Sequence, residues 1–346
     1  MIAPLHSLLW HDEKINQLFS PQAELAAMLR FESALAKAQA QCGLISSKAA
    51  ASIATLCANF SPDMELLEKG IRRDGMAVPE LIRQMRERLP EQFREALHFR
   101  STSQDVIDTA LAMRLRDALD ILDESVRAIL LQFDALERRD GKVQQMGRTR
   151  MQRALPLTAA DRISTWRAPL IRHQQRLLEL RPRLLVIQCG GPVGIDSGPW
   201  LPELARELGL GVPSRGWHTA RDNLAEVASW LSLVSGSLGK VGQDIAMMAQ
   251  NEIAEVVIEG GGTSSAMHHK SNPVQAELLV ALARFNAVQL SGLHQSLVHE
   301  QERSGAAWAL EWMILPQMVV ATAASLRLTL SLITSTTFRH GTDGPI

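Results

Sequence analysis

Between Asp105 and Asp140 the chain contains neither proline nor glycine. Within that run Leu115, Leu119, Leu122, Val126, Ile129, Phe133 and Leu136 recur at alternating spacings of four and three. This is the pattern that keeps one apolar seam along a helix. At 1.5 Å per residue such a helix would be roughly 54 Å long. A helix of that length restricts the fold severely, because only comparably long helices lying nearly parallel can cover it.

A second seam supplies such a partner. Leu224, Val227, Leu231, Val234, Leu238, Val241, Ile245 and Met248 keep the same alternation in a segment read as helical from Arg221 to Glu259. Gly236, Gly239 and Gly242 interrupt it, each costing about 1 kcal/mol against alanine in an exposed helix, and they predict close approach by a neighbouring helix. Further helices are expected over 158–188, 274–298 and 306–334, the last kinked at Pro316. Near the N-terminus Ser20 and Pro21 read as an N-cap and first helical residue, with Gly43 as the stop. Shorter pieces follow, broken at Pro62, Gly70, Gly75, Pro79 and Pro90. No alternating strand pattern and no repeat is visible. The expected fold is all-α: an N-terminal helical domain over 1–102, a central long-helix bundle over 103–338 and a tail over 339–346. Seams of this length also predict a homo-oligomer, on the expectation that one chain cannot cover them. A plain helical scaffold would explain the helices, but not the segments that join them.

Composition narrows the partners. Hydrophobic residues make up 46% and charged residues 21%, with a formal net charge of −1, as in a folded globular protein. That balance predicts no nucleic-acid or membrane partner. Three widely spaced cysteines give neither a disulfide framework nor a zinc pattern. No secretory leader and no run of 18 apolar residues is found, so a cytoplasmic location is expected.

Three connecting segments carry polar chemistry. In FRSTSQDVIDTA, residues 99–110, Thr102 or Ser103 suits a helix cap and Asp105 suits the positive helix end. The same hydroxyls, the Gln104 amide and the helix N-terminus also suit a carboxylate. In MGRTRMQRALP, residues 146–156, Arg148, Arg150 and Arg153 crowd around Thr149 and Gln152. They form either a solvated basic turn or a set of forked donors for a polycarboxylate. The third segment, GGGTSSAMHHKSNPV, has no phosphate-loop spacing, and adjacent His268 and His269 make a poor metal site. It reads either as a flexible tether or as a hinged lid. In the lid reading Ser264 or Ser265 moves a proton while Lys270 and Asn272 anchor a carboxylate.

In this order, separated by long helices, TSQDVIDT, GRTxxQ and SSAMxxKxNP resemble the three signature regions of the fumarase/aspartase superfamily. LRPRLLVIQCGG, WHTARD, LGKVGQDIA and ERSGAAWALEW extend the resemblance over most of the chain, toward the branch that lactonises 3-carboxy-cis,cis-muconate. The resemblance implies a homotetramer whose active sites draw on three subunits, a small polyanionic carboxylate substrate, and no cofactor or metal. It implies a cycloisomerase in protocatechuate-type aromatic degradation. A fumarate-releasing β-elimination lyase and a catalytically silent scaffold are the alternatives.

By the same resemblance Ser264 is the proton-transferring serine and Lys270 its catalytic partner. Thr102, Ser103, Gln104, Arg148, Thr149, Arg150, Gln152 and Asn272 hold substrate, with His98 and Arg303 as further candidates. His98 reads equally as a packed structural histidine. Arg150 stands where many of these lyases carry histidine and the lactonising branch carries tryptophan, which points to a more anionic or differently shaped substituent such as a sulfonate. His268 replaces the motif proline, either as a proton shuttle or as an exposed loop residue. Arg100 replaces a small residue. The chain is also expected to lack the small C-terminal domain usual in the family.

Overall fold

The computed structural model describes residues 5–196, 198–267 and 270–340; His268 and the end of the tail lie outside them. The helices are α1 Glu13–Leu18, α2 Pro21–Gln41, α3 Ser47–Asn59, α4 Met64–Asp74, α5 Val78–Arg88 and α6 Ser103–Asp140. A hairpin of β1 Gln144–Thr149 and β2 Gln152–Thr158 leads into α7 Ala159–Leu184, α8 Leu201–Leu208 and α9 Asp222–Met248. Then come β3 Val256–Ile258, β4 Gly262–Thr263, β5 Ser271–Asn272, α10 Val274–Gln295, α11 Ala306–Ser335 and β6 Thr336–Phe338.

Local chemistry sets the ends. Ser20 accepts from Ala23 N–H at 3.2 Å, with Pro21 opening α2, and Gly43 follows its end with φ 71°. Thr102 caps α6, and its N–H donates to Asp105 at 3.1 Å. From there α6 runs 38 residues, a length of about 57 Å. It packs against α7 and α11, while α9 packs against α7, α10 and α11. Every residue of the first seam is at most 2% exposed and every residue of the second at most 4%.

That burial corrects one expectation. Both seams are covered inside a single chain, so they carry no argument for an oligomer. What the bundle leaves outside are single large apolar residues such as Leu131, Leu178, Val288 and Met313, each more than half exposed. Two of the three glycines in α9 do serve close approach. A Cβ on Gly239 would stand 2.5 Å from that of Ala283, and one on Gly242 would stand 2.5 Å from the Ala276 carbonyl oxygen, both on α10. A Cβ on Gly236 would meet no atom of the described residues within 4 Å.

The strands are a second difference. They are short additions to an all-α bundle, yet the β1–β2 hairpin carries a signature segment. Its turn is Arg150–Met151, with φ of 48° and 67°, the left-handed pair that a tight hairpin turn requires and that Asn-Gly normally supplies. With neither residue there, the turn has no sequence signal. The helix expected to reach Glu259 stops at Met248 and gives way to β3, which pairs with β6. Helix α11 continues through Pro316. It is long and apolar enough to cross a membrane, but 67% of its apolar window is buried in the bundle, as befits a core helix.

A second apolar core lies under α2–α5. Phe31, Leu35, Ile53, Leu81, Met85 and Leu97 build it, joined by Leu204 and Leu208 of α8.

Candidate active site

The signature segments collect at opposite ends of α6. At its N-terminal end Asp105 is fully buried and acts as a hub. One carboxylate oxygen accepts from Thr102 N–H at 3.1 Å and Gly191 N–H at 3.0 Å. The other accepts from Gly190 N–H at 2.9 Å, His218 Nε2 at 2.8 Å and Gln188 Nε2 at 3.4 Å. A residue read in the sequence only as favouring a helix end thus fixes the 188–191 loop over the first signature segment. Gln104 is also fully buried. It donates to the His218 carbonyl at 2.8 Å and to Asp108 at 3.2 Å, and it accepts from Arg303 Nε at 3.1 Å. Arg303 Nη2 donates to Thr102 Oγ1 at 3.1 Å and to the Pro192 carbonyl at 3.2 Å. The structure therefore joins Thr102, Gln104 and Arg303 in one cluster. Ser103 is half-buried beside it, and the buried Ser101 hydroxyl oxygen has no hydrogen-bond partner among the described residues.

Beneath the cluster Arg221 is fully buried. It grips both oxygens of Asp108, at 2.6 and 3.1 Å, and both of Glu311, and it lies over the Trp217 ring. Burial works against its charge, but Asp108 and Glu311 more than offset that and raise its pKa. The WHTARD motif contains both His218 and Arg221, so the signal for this network was present, though nothing in the residue types assigned it. His98 sits apart, its Nδ1 2.6 Å from a carboxylate oxygen of buried Glu32. Burial opposes its proton; the charge and hydrogen bond of Glu32 prevail, and its pKa is raised. That geometry gives His98 a structural partner. Arg100 pairs with Asp196 through two bonds, at 3.0 and 2.8 Å.

At the far end of α6 the hairpin sets Thr149 opposite Gln152. Arg148 donates to Glu255 at 2.8 Å, and Arg162 reaches the other oxygen of that buried carboxylate at 3.5 Å. Arg148, Gln152 and Arg153 line an open cleft of about 630 Å³ with Met247, Gln250 and Ile253. Arg150 and Thr149 are exposed on the hairpin tip.

The glycine-rich segment lies at this same end. Strands β4 and β5 pair Gly262 with Asn272 and Thr263 with Ser271, so its tip is a loop on a two-rung stem. Gly260 has φ 72°, while a Cβ on Gly261 would collide with Ser271. On the tip Ser264 Oγ accepts from the N–H groups of Ala266 and Met267 at 3.3 and 3.1 Å. Lys270 has an exposed side chain and Asn272 is half-buried. Two N–H donors aimed at a hydroxyl oxygen favour its deprotonated form, which suits a serine that gives up a proton.

Within one chain the length of α6, about 57 Å, separates Thr102, Ser103, Gln104 and Arg303 from Arg148, Thr149, Arg150, Gln152, Ser264, Lys270 and Asn272. A single chain does not bring the two groups together.

Residues 11–287 match the model of a family described as lyase. With its long-helix bundle, the chain belongs to that family, within the fumarase/aspartase superfamily. Among its relatives is 3-carboxy-cis,cis-muconate cycloisomerase of Pseudomonas aeruginosa, 36% identical over 92% of this chain and 72% of that protein. The crystal structure of 3-carboxy-cis,cis-muconate lactonizing enzyme from Pseudomonas putida superposes with a TM-score of 0.89 at 34% identity, covering 96% of this chain and 77% of the other. Fumarate lyase from Mesorhizobium sp. BNC1 gives a TM-score of 0.90 at 33% identity, covering 97% and 78%.

Proposed function

We propose that this protein is a cycloisomerase that lactonises 3-carboxy-cis,cis-muconate or a close analogue. The observation that carries this reading is the match to a cycloisomerase at 36% identity over 92% of the chain. The site supports it with a serine cradled by two backbone N–H groups.

In the reaction a substrate carboxylate oxygen adds to one carbon of the conjugated diene. The C–O bond forms, and the π electrons move to the carbon beside another carboxylate, which holds the charge as an enediolate. Lys270 and Asn272 would face that carboxylate, and a well-aimed donor there is worth about 2.7–4 kcal/mol in the barrier. Ser264 would give its proton to the carbon, leaving an oxyanion on the Ala266 and Met267 N–H groups until solvent reprotonates it. One carboxylate becomes an ester, so each turnover takes up one proton. At the other end Thr102, Ser103 and Arg303 would bind the remaining carboxylates, with Gln104 holding Arg303, while Arg148, Thr149 and Gln152 supply donors from the hairpin. The two groups meet only if ends of different chains adjoin, and the form proposed here is a cytoplasmic homotetramer with shared sites. A division into an N-terminal domain over 1–102 and a bundle over 103–338 goes with it.

The test is direct. Purified protein mixed with 3-carboxy-cis,cis-muconate should bleach the diene absorbance, and Ser264→Ala and Lys270→Ala should abolish the bleaching. No bleaching by the unaltered protein would sink the proposal.

A further inference from the structure

Helix α2 shows one face to the region around Thr102 and another to solvent. On its inner face Glu32 holds His98 at 2.6 Å, and Gln39 Nε2 donates to the Phe99 carbonyl at 2.7 Å. These two bonds fix the turn that leads into Thr102. On its outer face Ala26, Arg30, Ser33, Ala34 and Lys37 form one wall of a groove of about 470 Å³, closed by α3 and Phe60. That volume is in the range of small-ligand sites. The floor is apolar, built from Leu29, Ala34, Cys57 and Phe60. Burial, with the charge of Glu32 adding, pushes the Cys57 thiol up to about 12, so it stays a neutral part of that floor.

The rim carries two cations, Arg30 and Lys37, and one carboxylate, Glu207. Arg30 has no hydrogen bond or ion pair among the described residues, while Lys37 pairs at 3.8 Å with Glu207, which lines the same groove. An apolar floor with the uncommitted Arg30 guanidinium on its edge complements a small molecule with a flat apolar body and one carboxylate, which Arg30 would hold. None of these residues belongs to the site described above.

We infer that the groove between α2 and α3 is a second ligand site, for a small arenecarboxylate, coupled to the substrate site through α2. The coupling has a short physical route, since one helix carries both the groove wall and the two bonds that set the turn before Thr102. Such coupling is reciprocal: a ligand that favours one placement of α2 alters the affinity for substrate, and substrate alters the affinity for the ligand. Occupancy is independent of the proposed reaction; only the kinetic readout rests on it.

Benzoate is the probe, measured by calorimetry on the full chain and on three variants. Saturable binding is expected, about tenfold weaker in Arg30→Ala, as loss of a charge-assisted contact implies. It should be abolished by Ala58→Trp, which fills the trough from an exposed position, and kept in Lys270→Ala. Saturating benzoate should shift KM for 3-carboxymuconate in the unaltered protein and leave it unmoved in Ala58→Trp. Absence of saturable binding would overturn the site. Binding lost in Lys270→Ala but kept in Ala58→Trp would do so too, since benzoate would then occupy the substrate site. Groove binding with no shift in KM would overturn the coupling.

Discussion

Arg303 donates its Nε hydrogen to Gln104 Oε1 at 3.1 Å, joining residues 199 positions apart. Because the Gln104 amide nitrogen is taken by the His218 carbonyl and Asp108, the oxygen can only face Arg303. Gln104 is therefore a positioning residue for a guanidinium that stands beside the Thr102 hydroxyl. Arg303→Ala should lower kcat/KM by about tenfold to a hundredfold, the worth of a charge-assisted hydrogen bond. Gln104→Met should reproduce much of that loss as a rise in KM. Steady-state kinetics on the two variants, with circular dichroism to confirm folding, checks this; unchanged KM in both would contradict it.

The buried Arg221 carries stability rather than chemistry. Removing it leaves Asp108 and Glu311 buried together without their guanidinium, with only His299 Nε2 near Glu311 at 3.4 Å, and breaking a pair of that kind costs about 3–5 kcal/mol. Denaturant unfolding of Arg221→Met should show a loss of that size. A loss below about 1 kcal/mol would mean that the network is solvated.

His173 gives stability a pH dependence of known sign. Its Nε2 bonds Ser237 Oγ at 2.8 Å, and burial, then the charges of Arg176 and Arg172, depress its pKa to about 4. In the unfolded chain it titrates near 6.5. The unfolded state therefore binds the proton first, and stability falls as pH drops from about 6.5 toward 4. Relative to His173→Gln, the unaltered protein should lose stability across that window and hold it above. Parallel curves for the two proteins would refute the assignment.

Arg150 sits exposed on the hairpin tip, where an extra guanidinium is free to meet an anionic substituent. We expect Arg150→Trp to shift preference from 3-sulfomuconate toward 3-carboxymuconate, read as the ratio of the two kcat/KM values. An unchanged ratio would remove Arg150 from specificity.

The long helices were legible because seam residues such as Leu122 and Leu238 obey a period that burial enforces. The hairpin was not, because Arg150 and Met151 adopt left-handed backbone without the glycine or asparagine that announces it. The oligomer was expected from the seams, and that reason failed once the seams proved covered; the proposal that Thr102 and Ser264 serve one substrate now carries it, because α6 separates them within one chain. Motif residues could be named from resemblance, but Asp105 as hub and Arg221 as buried bridge depend on contacts across more than eighty positions, beyond any local pattern.

The central claim is that one site draws on both ends of α6 and therefore on more than one chain. It is tested by combining two defective proteins, a Thr102→Val/Arg303→Ala double variant and Ser264→Ala, dissociated together and reassembled. Each alone should leave 3-carboxy-cis,cis-muconate nearly untouched, while mixed assemblies should regain diene bleaching at sites where an intact first segment meets an intact serine loop. If mass spectrometry shows that mixed assemblies form and they stay as slow as the parents, the shared site is wrong.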